Sequence, residues 1–218
     1  MVNCPYCNSK YTSLGTHFRY YPDHREEITE EQHEIVTGLL LGDGTIYGRR
    51  KDKNNNAFLS VTLSQERAVD HLIKKFDWLS REKQTVYTDG RQYHRFETRS
   101  HPDLNKYKEW YQPDKIWPEI KITSKMLKYL YISDGTYDTN NSHNRIMISC
   151  SKEGINKNKV LRIFECSGFS VDRTYEYERD GRCDDFQIWF NTDTTQSMFA
   201  SMGEPIPGFE YKWPDSKS

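Results

Sequence analysis

Residues 37–47 read TGLLLGDGTIY and residues 127–137 read LKYLYISDGTY. Each sets an apolar run directly before Asp-Gly-Thr, and the two Asp-Gly pairs, at Asp43 and Asp134, stand 91 residues apart. Self-similarity at a long fixed interval is the mark of a duplicated unit. Working outward, the flanks match in order. A polar, Asn-rich turn follows each motif (KDKNNN 51–56, DTNNSHN 138–144), then an alternating segment (LSVTLS 59–64, RIMISCS 145–151), then an amphipathic stretch with helical spacing (66–79, 156–169). Asp89-Gly90 and Asp180-Gly181 each supply a strong hairpin signal, and the halves close on DKIWP (114–118) and YKWP (211–214). This order predicts an α+β fold of tandem, pseudo-symmetric αββαββα repeats with two antiparallel sheets. The first repeat is expected over 29–112, a linker over 113–122, the second repeat over 123–218 and an N-terminal extension over 1–28.

Thr29 with Gln32 fits a capping box that starts a helix at Glu30. Gly38 and Gly42 stand four apart, so two helix backbones can approach closely on that face. Asp43 then falls at the helix C-terminus, where a carboxylate meets the negative end of the helix dipole and needs a compensating cation. That misfit suggests a metal ion.

These residues resemble the LAGLIDADG homing endonucleases, whose signature reads here as VTGLLLGDG (36–44) and LKYLYISDG (127–135). The resemblance covers most of residues 29–214 and is to the single-chain, two-motif type. It implies that the motif helices pack at the centre and that Asp43 and Asp134 meet at the scissile phosphates of double-stranded DNA. Mg²⁺ would be held by these acids with the main-chain carbonyls of Gly42 and Ser133, hydrolysing one phosphodiester per strand. Lys115 and Lys212 match the lysines that polarise the water network, and Gln65 matches a water-positioning residue, with Lys152 its weaker counterpart. The plainer reading of both lysines is a surface side chain beside a Trp-Pro strand end. The second motif departs from the pattern at Tyr129, where a small packing residue is common, which bears on the helix spacing.

Strand alternation sorts the faces. Leu59, Val61 and Leu63 form a core side, leaving Phe58, Ser60, Thr62 and Ser64 outward. Arg91, Tyr93, Arg95, Glu97 and Arg99 share one phase with Phe96 behind, and Tyr47, Arg49, Lys51 and Lys53 share another. Arginines and tyrosine on one strand face suit a ribbon in the major groove. The second half offers Asn140, His143, Arg145, Ser149, Arg173, Tyr175, Tyr177, Gln187 and Trp189. Two unlike sheets imply an asymmetric site of roughly 20 bp, at ~10 bp per turn, read by a monomer.

Cys4, Cys7, His17 and His24 follow the order C-x2-C-x9-H-x6-H, which resembles a structural Zn²⁺ site. The last spacing is longer than usual; His33 as fourth ligand, or no metal, are the alternatives.

The chain has 218 residues and a formal net charge of −1, awkward for DNA binding unless positive charge is gathered on one face. It is so gathered in GRRKDK (48–53) and the arginines of 91–99. No run approaches the ~20 apolar residues of a membrane span, and the N-terminus lacks the apolar core of a signal peptide. Five cysteines, two of them in a CxxC pair, argue against a disulfide framework. An intracellular protein is expected, in cytoplasm or nucleoid, or in an organelle if eukaryotic. The competing functions are an intron RNA maturase, a catalytically silent DNA-binding regulator of the same fold, and a zinc-dependent interaction module on an unrelated α/β domain. The discriminator is the acid pair, since only cutting needs both. The host element, whether intron, intein or free-standing gene, is not encoded in any motif.

Overall fold

The computed structural model describes the chain except residues 5, 6, 13–16, 19, 22–25, 49–55, 111–114, 140–143, 151–156, 180, 181 and 215–218. An N-terminal two-stranded hairpin (β1, Val2–Asn3; β2, Lys10–Tyr11) precedes the duplicated body. The first half runs α1 (Glu30–Leu41), β3 (Thr45–Tyr47), β4 (Phe58–Leu63), α2 (Glu66–Phe76), β5 (Gln84–Thr88) and β6 (Arg91–Glu97). The second runs α3 (Ser124–Asp134), β7 (Gly135–Asp138), β8 (Arg145–Cys150), α4 (Lys157–Cys166), β9 (Val171–Arg179), β10 (Arg182–Phe190) and α5 (Thr192–Met202). The two four-stranded sheets have strand orders β3-β4-β6-β5 and β7-β8-β10-β9, antiparallel throughout, which is one topology used twice.

One expected element differs in kind. The closing helix of the first half is a 3₁₀ segment, Pro102–Trp110, where the second half has the α-helix α5. Asn191 caps α5 with its side chain on the Thr194 amide, whereas the first half enters its segment through Pro102. Only Leu104 and Tyr107 of that segment are buried, and a narrow buried stripe does not demand an α-helical pitch.

Each sheet buries one face as its period-2 pattern dictates. Leu59, Val61, Leu63 and Phe96 pack on the Ala68, Val69, Leu72 and Phe76 stripe of α2. Ile146, Ile148, Phe186, Ile188 and Phe190 pack with Val160, Ile163 and Phe164 of α4. Both motif helices begin on a Thr cap: Thr29 and Gln32 form the full capping box of α1, and Thr123 accepts from the Met126 amide to start α3. Among the described residues no helix is long and apolar enough to cross a membrane.

α1 and α3 pack together at the centre. A Cβ on Gly38 would lie 2.4 Å from the Met126 carbonyl oxygen and 2.8 Å from Tyr129 Cβ; one on Gly42 would lie 2.5 Å from Ser133 Cβ. The two glycines therefore set the interhelix distance. They also explain Tyr129. Gly38 lies against its Cβ, and the ring leaves the seam so that its hydroxyl meets His71 Nε2 of α2 at 3.0 Å. Burial holds the Tyr129 hydroxyl well above the ordinary tyrosine pKa.

Two histidines in these packing layers make stability pH-dependent. Burial, then Lys75, Lys128 and Lys74, push His71 below its ordinary value of 6.5; burial and Lys106 do the same for His33, whose Nδ1 meets Tyr107 hydroxyl at 3.0 Å. As pH falls through about 6.5, the unfolded chain takes up protons that the folded chain resists, so stability declines. The urea midpoint should fall between pH 7.5 and pH 5.5, and His71→Gln should flatten that slope.

Candidate active site

α1 ends at Leu41 and Gly42 caps it, so Asp43 sits in the turn just past the helix; α3 runs through Asp134 itself. Asp134 Oδ2 would lie only 3.1 Å from a Cβ on Gly42, so this carboxylate reaches across the seam to the end of the other motif helix. Both Asp134 and Asp43 act electrostatically on the Lys212 ammonium, Asp134 the more strongly. Its Nζ donates to the carbonyls of Ile132 at 2.9 Å and Gly135 at 2.7 Å, at the end of α3. Lys115 makes the matching arrangement on α1, donating to the carbonyls of Leu41 and Gly42. The cations that offset the negative ends of the two helix dipoles are therefore lysines of the chain itself.

Burial is the main influence on Lys212 and pushes it down to about 8; the two aspartates oppose that shift. The segment is held by Tyr131, whose hydroxyl donates to the Lys212 carbonyl at 2.7 Å, and by Trp213, whose Nε1 donates to the Gly203 carbonyl at 2.9 Å. The Trp-Pro in YKWP thus anchors the lysine from behind. Tyr131 carried no signal of this role in the sequence, since a tyrosine within an apolar helix face reads as core. The carbonyl of Gly42, expected as a metal ligand, already accepts from Lys115. Ser133 directs its hydroxyl to the Tyr129 carbonyl at 3.2 Å. Gln65 caps α2 without a side-chain cap bond and packs beside Gly208 and Tyr211, next to Lys212 in the chain. Lys152 lies outside the described residues.

Asp43 opens directly onto the outward face of the first sheet. A cavity of about 300 Å³ is lined by Asp43, Thr45, Thr62, Tyr93 and Arg95, among others. Tyr47 stands at its side, 51% exposed and stacked on Phe58 at 5.3 Å. Arg91 is exposed at the hairpin end of β6. Arg99 does not join this row: it lies beyond β6, and its Nε donates to the Trp78 carbonyl at 3.1 Å, turned to the helical side. Arg81, which no sequence pattern marked, takes a place near the row instead, paired with Glu97 at 3.2 Å and over the Phe58 ring at 5.0 Å. On the second sheet, Arg173 lies 4.7 Å over the Trp189 ring, Tyr175 stacks with Tyr177, and Gln187 pairs in register with both Ser149 and Tyr175. Arg145 is spent partly on Asp172 at 3.1 Å. Arg49, Lys51, Lys53, Asn140 and His143 lie outside the described residues.

The model of the LAGLIDADG DNA endonuclease family matches residues 33–197. The chain belongs to that family. Among solved structures, the homing endonuclease I-WcaI bound to its DNA recognition sequence is similar over 94% of this chain and 95% of that one, with a TM-score of 0.71 at 15% identity. I-DmoI in complex with DNA and Ca is similar over 82% of this chain and 94% of its own, with a TM-score of 0.51 at 15% identity. Full-length DUF199/WhiA from Thermatoga maritima is similar over 82% of this chain and 58% of its own, with a TM-score of 0.53 at 12% identity. At such identities the likeness establishes the fold alone. No curated protein matches the chain.

At the N-terminus, ligand atoms of Cys4, Cys7 and His17 lie within 4.8 Å of one another, and Cys7 Sγ is 3.6 Å from His17 Nε2. Cys4 and His17 are buried. The turn between the cysteines closes by Asn8 N–H on the Cys4 carbonyl at 2.9 Å, with Asn8 at φ 54°. His24 lies outside the described residues, and His33, the alternative ligand, is engaged with Tyr107 away from this cluster.

Proposed function

We propose that the chain is a single-chain homing endonuclease that makes a double-strand break in one long, asymmetric DNA site. The observation that carries this is the approach of the Asp134 carboxylate to Gly42, beside Asp43, at the foot of the packed motif helices, where Asp43 opens onto the outward face of the first sheet. DNA-bound I-WcaI and I-DmoI of the same fold support it. In this account the acids orient the scissile phosphates of the two strands, and Lys115 and Lys212 fix the motif-helix ends that carry them. Lys212 also offsets phosphate charge, and Gln65 positions water beside it. A carboxylate pair suits a hard divalent cation such as Mg²⁺, held chiefly by Asp43 and Asp134, with Ser133 and Gly42 carbonyls as further oxygen donors. When bound, that ion supplies activation of water and stabilisation of the leaving oxygen. The repeats, 29–112 and 123–218 joined by 113–122, face the two halves of roughly 20 bp, at ~10 bp per turn. Both motif helices reside in one chain, so a monomer suffices, working inside the cell. Selection of cut ends from a randomised duplex library with Mg²⁺ should return one family of non-palindromic sites. Light scattering should find one chain per duplex. Absence of any enriched cut, or two chains per site, would contradict the proposal.

The N-terminal extension is proposed to bind one structural Zn²⁺ through Cys4, Cys7 and His17, with His24 as fourth ligand. The 3.6 Å separation of Sγ and Nε2 suits ligands of one tetrahedral ion, which lie about 3.5 Å apart given Zn–S near 2.3 Å and Zn–N near 2.0 Å. So short a segment gains much of its folding free energy from metal. Elemental analysis should find one zinc per chain, and Cys4→Ser with Cys7→Ser should remove it and speed proteolysis of the N-terminus. A metal-free wild-type protein would refute the site.

A further inference from the structure

Because the two sheets share one strand order, their registers align position by position. In the first, Thr45 pairs with Ser60 and Ser60 with Glu97; in the second, Thr136 pairs with Met147 and Met147 with Trp189. The neighbouring row is Thr62, Arg95 and Gln84 in the first sheet and Ser149, Gln187 and Tyr175 in the second. The first row of each sheet begins at the residue just past Asp43-Gly44 or Asp134-Gly135, and the neighbouring row lies two residues further along β4 and β8, so counterparts hold equivalent places in register relative to the acids.

The chemistry of the counterparts is opposite. Ser60 bonds Glu97, and Glu97 bonds Arg81, so the first sheet presents a polar, charged row. Its counterpart places Met147 beside Trp189 and then Arg173, whose guanidinium lies over the indole, so an apolar side chain stands where the first sheet has Ser60. In the next row, Arg95 faces the cavity beside Asp43 and Gln187 takes its place in the second sheet. Neither side chain is spent on a hydrogen bond or ion pair among the described residues.

We propose that the two sheets read unlike bases at equivalent positions, a G·C pair at the Arg95 position and an A·T pair at the equivalent Gln187 position, with Met147 set against a thymine methyl group. This rests on the DNA-site reading above. A guanidinium fork matches O6 and N7 of guanine, and a carboxamide matches N6 and N7 of adenine. Met147 suits a thymine C5 methyl, which cytosine lacks.

The test is binding selection of a randomised duplex library by the full chain in Mg²⁺-free buffer, for wild type, Gln187→Arg and Arg95→Gln. Wild type should enrich a site with one G·C-preferring and one A·T-preferring position equidistant from its centre. Gln187→Arg should convert the A·T position to G·C, changing the preference about 10- to 100-fold, and leave the other half unaltered. Arg95→Gln should make the reciprocal change in the other half. An enriched site with the same base preference at both of these positions, or unchanged preferences in both variants, would overturn the inference while leaving a DNA-binding enzyme intact. No enriched site at all would overturn the DNA-site reading itself, and this inference with it.

Discussion

Asp43→Asn and Asp134→Asn, made singly, should each abolish double-strand cleavage while preserving tight binding to the same duplex. Asparagine keeps the shape of aspartate, so the packing of α1 on α3 and the lysine bonds to the helix-end carbonyls persist. What disappears is one of two negative charges gathered at a single centre around Lys212. Removing one charge-stabilising donor from an active site typically costs ~10²–10³ in rate, and losing a carboxylate proposed to hold the metal should cost at least ~10³. Binding should hold or tighten, since a neutral amide repels the phosphates less. Plasmid linearisation beside gel-shift binding separates the two quantities. Wild-type-like cleavage by either variant would sink the assignment of the acids.

Gly38→Val should strongly destabilise the chain. The new Cβ would stand 2.4 Å from a backbone oxygen of Met126 and 2.8 Å from Tyr129 Cβ, neither of which can swing away as a side-chain tip could. The helices must separate, and with them the acids at their ends. Overpacking of a tight core costs about 1–3 kcal/mol and more where backbone blocks relaxation. At ~3 kcal/mol a chain of this size loses roughly 6–12 °C in Tm. Gly90→Ala is the control: nothing lies within 4 Å, and only its φ of +74° is penalised, at about 1 kcal/mol. Cleavage should fall with Gly38→Val and survive Gly90→Ala. A Gly38→Val protein as stable as wild type would mean the seam is not glycine-limited.

The duplication was legible because the Asp-Gly motifs, hairpin turns and Trp-Pro closures recur in one order, and each follows a local rule of turn or helix chemistry. The helix caps at Thr29 and Thr123 are likewise local. What escaped is non-local. The 3₁₀ form of Pro102–Trp110 depends on how narrow a stripe the neighbouring elements leave to bury. Arg99 fits the strand alternation by count, yet the strand ends at Glu97 and the side chain turns to Trp78. Arg81 follows α2 in an irregular stretch with no periodicity to mark it, and gains its place through Glu97 across the sheet. The missing cation at the helix C-termini was sensed from the sequence, but lysines 74 and 80 residues beyond the motifs' last helical carbonyls at Leu41 and Ile132 supply it.

Strand-resolved mapping of the cuts on a duplex carrying the selected site tests the central claim most directly, namely that two unlike repeats share one composite active centre. Both strands should be cut by one chain with Mg²⁺ present, at positions a few base pairs apart lying between the half-site read by the Arg95 sheet and that read by the Gln187 sheet. Cuts outside the recognised sequence, or on one strand alone, would contradict it.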